Sequence, residues 1–155
     1  MKKDHEKSNY ILSNFQNQLD SRKNDLDSFL FNYVSCKFSI GNKHTMLITS
    51  DYNKHEWTFF VKFDDPNQID KFVEKIVVSL HPTFTDPVVT FTKQPFKVTR
   101  RGWGVFDIPV KIFWKKWTGL EPSIFSHFLS FEEDGKKSKF KVKIERAKIE
   151  ANVGK

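Results

Sequence analysis

Seventeen phenylalanines stand against two alanines, Ala147 and Ala151. Short runs in which apolar and polar residues alternate recur along most of the chain, and Pro, Gly, Asn and Asp separate them. Aromatic and β-branched residues suit a pleated, half-buried surface better than a helix, and short strands between turn signals suit two packed antiparallel sheets. These features predict an all-β fold: an immunoglobulin-like antiparallel β-sandwich of about eight strands, with an N-terminal amphipathic helical extension. At 155 residues one domain can bury roughly 70% of the surface its unfolded chain exposes, so it needs no metal or disulfide staple.

In chain order, Ile11, Phe15, Leu19, Leu26 and Leu30 recur at helical spacing among polar residues, which predicts the N-terminal helix or helices. From Val34 the period becomes two. Val34, Cys36, Phe38 and Ile40 alternate with Ser35, Lys37 and Ser39, and Gly41-Asn42 reads as the turn that ends this strand. Further strands are predicted at 46–49, 57–63, 76–80, 88–92, 105–114, 124–131 and 140–144, with no interleaved helix. Their separators are Asp64-Asp65-Pro66-Asn67, Pro82, Asp86-Pro87, Gln94-Pro95, Arg101-Gly102, Glu121-Pro122 and Asp134-Gly135. Pro109 lacks an N–H and is expected on an edge or a bulge. The expected division is a helical extension at 1–32, the sandwich at 33–150 and a tail at 151–155.

The composition excludes several classes. A 38% hydrophobic, 15% aromatic chain is not a disordered one. No apolar run approaches the ~20 residues of a membrane span, and the first twenty residues are polar where a signal peptide carries its apolar core. A single cysteine, Cys36, forms no intramolecular disulfide, which fits a reducing compartment. His5, His44, His55, His81 and His127 show no metal-ligand spacing, so neither metal nor cofactor is expected. There is no nucleophile elbow, phosphate loop or paired-carboxylate arrangement, and an enzyme is not expected. Cys36, inside a strand alternation, reads as a buried thiol. Aromatic residues in loops are what stand out: Phe84 in Leu80-His81-Pro82-Thr83-Phe84, and Trp103 between Gly102 and Gly104. Loops carry function more often than strands, and flanking glycines let backbone approach a ligand closely.

Three segments occur together in order: His55-Glu56-Trp57-Thr58-Phe59-Phe60-Val61, then Val77 through Phe84, then Thr92 through Phe106 with its Pro95-Phe96 and Gly102-Trp103-Gly104. In this combination the chain closely resembles the YEATS domain family, from about Val34 to Ile149. The family's H-x-W strand opening, L-H-x-[ST]-[FY] loop and P-[FY]…G-[WY]-G-x-F segment are all matched.

The resemblance implies a nuclear module that reads acetyl- or crotonyl-lysine on histone H3 tails, binds without chemistry, and works within a chromatin-remodelling, histone acetyltransferase or transcription complex. It implies an acyl-lysine site of His81, Thr83, Phe84, Gly102, Trp103, Gly104 and Phe106. Phe84 and Trp103 would be walls enclosing the flat amide, the Trp103 backbone N–H would donate to the acyl carbonyl, and Thr83, oriented by His81, would bond the amide. Gly102 and Gly104 would keep the backbone close, and Phe106 would pack beneath. Where some members place another aromatic before the H-x-W strand, this chain has Asn53 and Lys54, with Tyr52 nearby.

The formal charge is +7, with the excess concentrated late in the chain. Lys139, Lys141 and Lys143 alternate with Phe140, Val142 and Ile144 and predict a lysine row on one strand face. Such a row protects a sheet edge, or contacts phosphates. With Arg100 and Arg101 it supports a competing expectation: a basic module that binds DNA nonspecifically or a chromatin partner, without acyl-lysine recognition.

Overall fold

The computed structural model describes residues 12–14, 16–17 and 32–153. The apolar positions of the expected N-terminal helix, Ile11, Phe15, Leu19, Leu26 and Leu30, lie outside the described residues; 12–14 and 16–17 are helical. The chain forms two units, Ser35–Ile144 and a second made of Met1–Val34 with Glu145–Lys155. The second contains helix α2, Arg146–Val153, which begins inside the 33–150 span expected for the sandwich.

The Ser35–Ile144 unit is built from two four-stranded sheets, the eight-stranded antiparallel sandwich expected. Its strands are β1 (Tyr33–Met46), β2 (His55–Phe63), β3 (Val73–Ser79), β4 (Val88–Phe91), β5 (Phe96–Gly102), β6 (Asp107–Trp114), β7 (Ser123–Phe128) and β8 (Gly135–Glu145). One sheet runs β5-β2-β1-β8 and the other β4-β3-β6-β7. Alternation decides which side chains enter the core: Phe38, Ile40, Trp57 and Phe59 from the first sheet meet Ile76, Val78, Ile108, Val110 and Ile112 from the second, all at most 1% exposed. Cys36 is buried among them, and burial, then Asp65 and Asp64, push its thiol up to about 12.

Several local expectations are corrected. Gly41-Asn42 is not a turn, because β1 continues to Met46, and residues 47–49 are not strand. A Cβ on Gly41 would lie 2.6 Å from Lys137 Cβ and collide with the Lys136 carbonyl, so glycine here admits β8 rather than ending β1. Phe96–Gly102, unassigned in the sequence, pairs along β2 from His55↔Gly102 to Val61↔Phe96. The Asp64-Asp65-Pro66-Asn67 turn opens a short helix, α1 (Asn67–Phe72), as Asp65 accepts from the Asn67 and Gln68 N–H groups. Its Ile69 and Phe72 are buried, and a helix between strands was not expected. Pro109 lies on β6, an internal strand, opposite Ser126 of β7 and one residue past the last β3 pair at Val110. A residue without an N–H is tolerated where one of the two ladders has ended.

Asn42 is 2% exposed and faces the core from β1. Its Oδ1 accepts from His127 Nε2–H (2.7 Å) and from the Ser130 N–H (3.0 Å), while Nδ2 donates to the Ser130 carbonyl (2.8 Å). The amide therefore joins β1 of one sheet to β7 and the segment after it in the other. Replacing Asn42 with Ala strands buried groups of His127 and Ser130, each worth about 1 to 3 kcal/mol when left unpaired. Asn42→Ala is expected to lower unfolding free energy by about 3 kcal/mol, measured by urea denaturation at neutral pH.

Candidate functional site

The aromatic residues of the core gather at the two ends of the sandwich. Phe38, Phe63, Phe125 and Phe140 pack at one end, with ring centroids 5.1–5.9 Å from Phe38. Trp57, six residues before Phe63 on β2, is about 20 Å along the strand and begins the second cluster.

Two loops and the end of β5 converge on Trp57. The β3–β4 loop brings Phe84 edge-on to the indole at 5.9 Å and 84°. The β5–β6 loop brings Phe106 to 5.8 Å from Trp57 and 5.8 Å from Phe84, with His81 5.5 Å from Phe106. The end of β5 places Gly102 where a Cβ would stand 3.7 Å from Trp57 Nε1 and 3.9 Å from Phe84 Cζ. Trp103, the next residue, is 70% exposed, and Tyr52 of the β1–β2 loop meets it edge-on at 6.2 Å and 74°. Nothing lies within 4 Å of a Cβ built on Gly104.

The polar groups of the β3–β4 loop are ordered by one another. The Thr83 N–H donates to His81 Nδ1 at 3.3 Å, so Nδ1 is the acceptor, and Thr83 Oγ1 lies 2.8 Å from the same nitrogen. The Thr83 hydroxyl therefore points its proton at His81 and leaves its lone pairs for a donor outside. The Phe84 N–H closes the turn on the His81 carbonyl at 3.0 Å.

The seven residues named from sequence as acyl-lysine-binding thus fall at one end of the sandwich, on the β3–β4 loop and on the stretch from the end of β5 to Phe106. The five named for DNA do not form one cluster. Arg100 and Arg101 lie on β5 and Lys139, Lys141 and Lys143 on β8, at opposite edges of one sheet. Arg101 Nε pairs with Glu56 Oε2 at 3.3 Å, and Arg100 Nη1 donates to the Thr99 carbonyl at 2.8 Å.

Beside the site lies a histidine pair that sequence spacing could not reveal, since it needs the β1–β2 register. His44 Nδ1–H donates to the Glu133 carbonyl (2.9 Å), leaving Nε2 to accept from His55 Nδ1–H (2.8 Å). His55 stacks on Phe131 at 4.1 Å and 10°. Burial and then His44 lower the His55 pKa, and burial lowers that of His127. Among the described residues no cluster of three or more His, Cys, Asp or Glu side chains could hold a metal, and no helix is long and apolar enough to cross a membrane.

Fold and site together define a class: a two-sheet β-sandwich that presents an aromatic floor, an exposed indole and ordered polar loop groups at one end, a recognition module in form. A sequence model described as YEATS family matches residues 52–133, and the chain belongs to that family. It is 37% identical over 108 residues to a protein named "Protein AF-9 homolog" from Schizosaccharomyces pombe, covering 66% of this chain and 50% of the relative. Over 103 residues it is 29% identical to "Transcription initiation factor TFIID subunit 14b" from Arabidopsis thaliana, covering 66% and 37%. The chain thus spans half or less of the length of these curated relatives. The solved structure titled "The Yaf9 YEATS domain Recognizing H3K122suc Peptide" superposes with a TM-score of 0.66 at 25% identity, over 77% of this chain and 94% of that one.

Both lowered histidines make the folded protein bind fewer protons than the unfolded chain below pH 6.5, the ordinary histidine value. Their contribution is intact above that pH and is lost as pH falls toward and through the folded values. The urea midpoint is expected to drop between pH 7.5 and pH 5, and to drop less in His127→Gln, whose amide N–H can still reach Asn42 without titrating.

Proposed function

We propose that this chain is a reader of acylated lysine on histone H3 tails, working in the nucleus as part of a transcription or chromatin-modifying complex, and that it binds without catalysing a reaction. The observation that carries this reading is the exposed Trp103, next in sequence to Gly102, at the end of the sandwich where Phe84 packs on Trp57 and Phe106 beside the His81–Thr83 pair. Acylation replaces an ammonium with a neutral planar amide, so its reader needs flat apolar walls and matched hydrogen-bond partners. Trp103 and Phe84 supply the walls, and stacking adds about 0.5 to 1.5 kcal/mol beyond area burial. The Thr83 lone pairs accept the lysine amide N–H, and the Trp103 backbone N–H donates to the acyl carbonyl. Each bond is worth roughly 1 kcal/mol net, whereas an unpaired buried amide loses about 1 to 3 kcal/mol, so the polar groups set selectivity. Family membership and the relatives' printed names, one recognising an acylated H3 peptide and one a transcription factor subunit, support the same reading.

One further observation favours a DNA contact alongside the pocket. The Thr58–Thr99 hydroxyl pair (2.7 Å) marks the outer face of the β5-β2-β1-β8 sheet, and the registers put Lys97 of β5, Lys62 of β2 and Lys43 of β1 on that face, with Arg100 on the opposite one. The one acid on these rows, Glu56, is held by Arg101. Lys139 and Lys141 extend the surface at β8, giving a basic face for phosphates whose affinity falls steeply with salt.

Titration with matched H3 peptides, unmodified, acetylated, butyrylated and crotonylated at one lysine, tests the reading. Only the acylated peptides are expected to bind. Crotonyl should exceed butyryl through its planarity, and Trp103→Ala should weaken binding by about 2 kcal/mol, roughly 30-fold. Equal binding of all four peptides, with DNA binding released by salt, would make the basic face the working site instead. Gly102→Ala adds a methyl at ordinary contact distance from Trp57 and Phe84, so melting should be nearly unchanged while acyl-peptide affinity falls about tenfold.

A further inference from the structure

Trp57 is 1% exposed, yet its Nε1–H is the buried side-chain nitrogen that lacks a hydrogen-bond partner among the described residues. The other buried indole is satisfied: Trp114 Nε1–H donates to Ser123 Oγ at 2.9 Å. Tryptophan buried in a core ordinarily finds an acceptor, because an unpaired buried donor forfeits about 1 to 3 kcal/mol. Around Trp57 the protein offers hydrocarbon instead, the rings of Phe84 and Phe106. Nε1 points toward the side of Gly102 that carries no side chain, where the position of a missing Cβ lies 3.7 Å from Nε1 and 3.9 Å from Phe84 Cζ. A donor without an acceptor thus lies against Gly102, the residue that precedes the exposed Trp103.

We infer that the Trp57 indole N–H is a specificity-determining donor, which bonds an oxygen carried on the acyl chain of the bound lysine, beyond its amide. The inference rests on the reading of this end of the sandwich as an acyl-lysine site. With the amide carbonyl engaged by the Trp103 backbone and the amide N–H by Thr83, a chain that continues past them toward Gly102 meets an N–H donor at the floor. A hydrocarbon end leaves that donor unpaired; a hydroxyl or keto oxygen about 2.9 Å away pairs it. The donor is neutral and enclosed by aromatic rings, so it favours a neutral oxygen, because a carboxylate would surrender far more hydration on entering. The ligand class is therefore a short acyl-lysine with a neutral oxygen on its chain, with 3-hydroxybutyryl as the probe.

The test uses the full chain labelled with 15N at its tryptophan indoles and two H3 peptides differing only in butyryl or 3-hydroxybutyryl on one lysine. The hydroxylated peptide should bind about fivefold tighter, the effect of one net hydrogen bond. The Trp57 indole proton should shift downfield with that peptide more than with butyryl. Because Trp57 lies in the core, the companion variant is benzothienylalanine at position 57, which keeps the bicyclic shape and replaces N–H with sulfur; it also identifies the Trp57 resonance by its loss. In this variant the two peptides should bind equally. If the butyryl peptide binds the native chain while the hydroxyl adds nothing and the Trp57 resonance stays still, the inference is overturned and the acyl-lysine reading survives. If neither peptide binds the native chain, both fall. Should the benzothienyl chain fail to fold, the affinity ratio and the assigned shift in the native chain decide alone, with assignment by Trp103→Phe, Trp114→Phe and Trp117→Phe.

Discussion

The side-chain amide of Asn42 ties the two sheets together, and the rest of the sandwich is arranged around it. In a dry core a polar group is tolerable when every donor and acceptor is matched, and here the amide meets the Ser130 N–H, the Ser130 carbonyl and His127 Nε2–H together. Such a network specifies register as well as stability. Moving β1 by one residue would turn Asn42 to the outer face and leave His127 and Ser130 unpaired, so the alignment of β1 against β2 is set by one amide as much as by the apolar alternation. The approach of β8 depends on the same neighbourhood: Gly135, at φ +112°, packs against the Asn42 carbonyl, and Gly41 makes room for Lys136 and Lys137.

From this clamp the order extends to the Trp57 end of the sandwich. Leu129, beside Ser130, donates its N–H to the Phe106 carbonyl at 3.0 Å, and Phe106 touches Trp57, Phe84 and His81. The floor of the site is therefore continuous with the most constrained part of the core. Its upper wall is not: Trp103 and Tyr52 stand 70% and 82% exposed on separate loops and meet each other edge-on. The buried rings are thus fixed by packing on several neighbours, whereas the exposed pair is bounded largely by water.

The two outer faces of the sandwich differ in character. The outer face of the β5-β2-β1-β8 sheet carries lysines on all four strands, whereas the outer face of the other sheet exposes Val88, Ile124 and Phe128 beside Lys75 and Lys111, whose ammonium groups lie over Phe113. Lysine along the β8 edge also discourages pairing with another sheet, so the row that suits phosphates protects the fold as well.

Much was legible from residues alone. Alternation marked most strands and the buried Cys36, and the H-x-W, L-H-x-[ST]-[FY] and Gly-Trp-Gly segments named the family, because period-two burial and loop chemistry are local properties of sequence. Gly41-Asn42 misled because a glycine that breaks a strand and one that admits a neighbouring strand look the same in one dimension. Helix α1 was hidden in turn residues whose helical outcome depends on burying Ile69 and Phe72. The His44–His55 pair, the separation of Arg101 from the β8 lysines and the unpartnered Trp57 N–H required strand order and register, which arise from contacts between residues distant in sequence. The sequence by itself determined the class of fold and the family, and singled out the aromatic loops; tertiary structure decided what those loops face, because only sheet packing brings Trp57, Gly102 and Phe84 to one point.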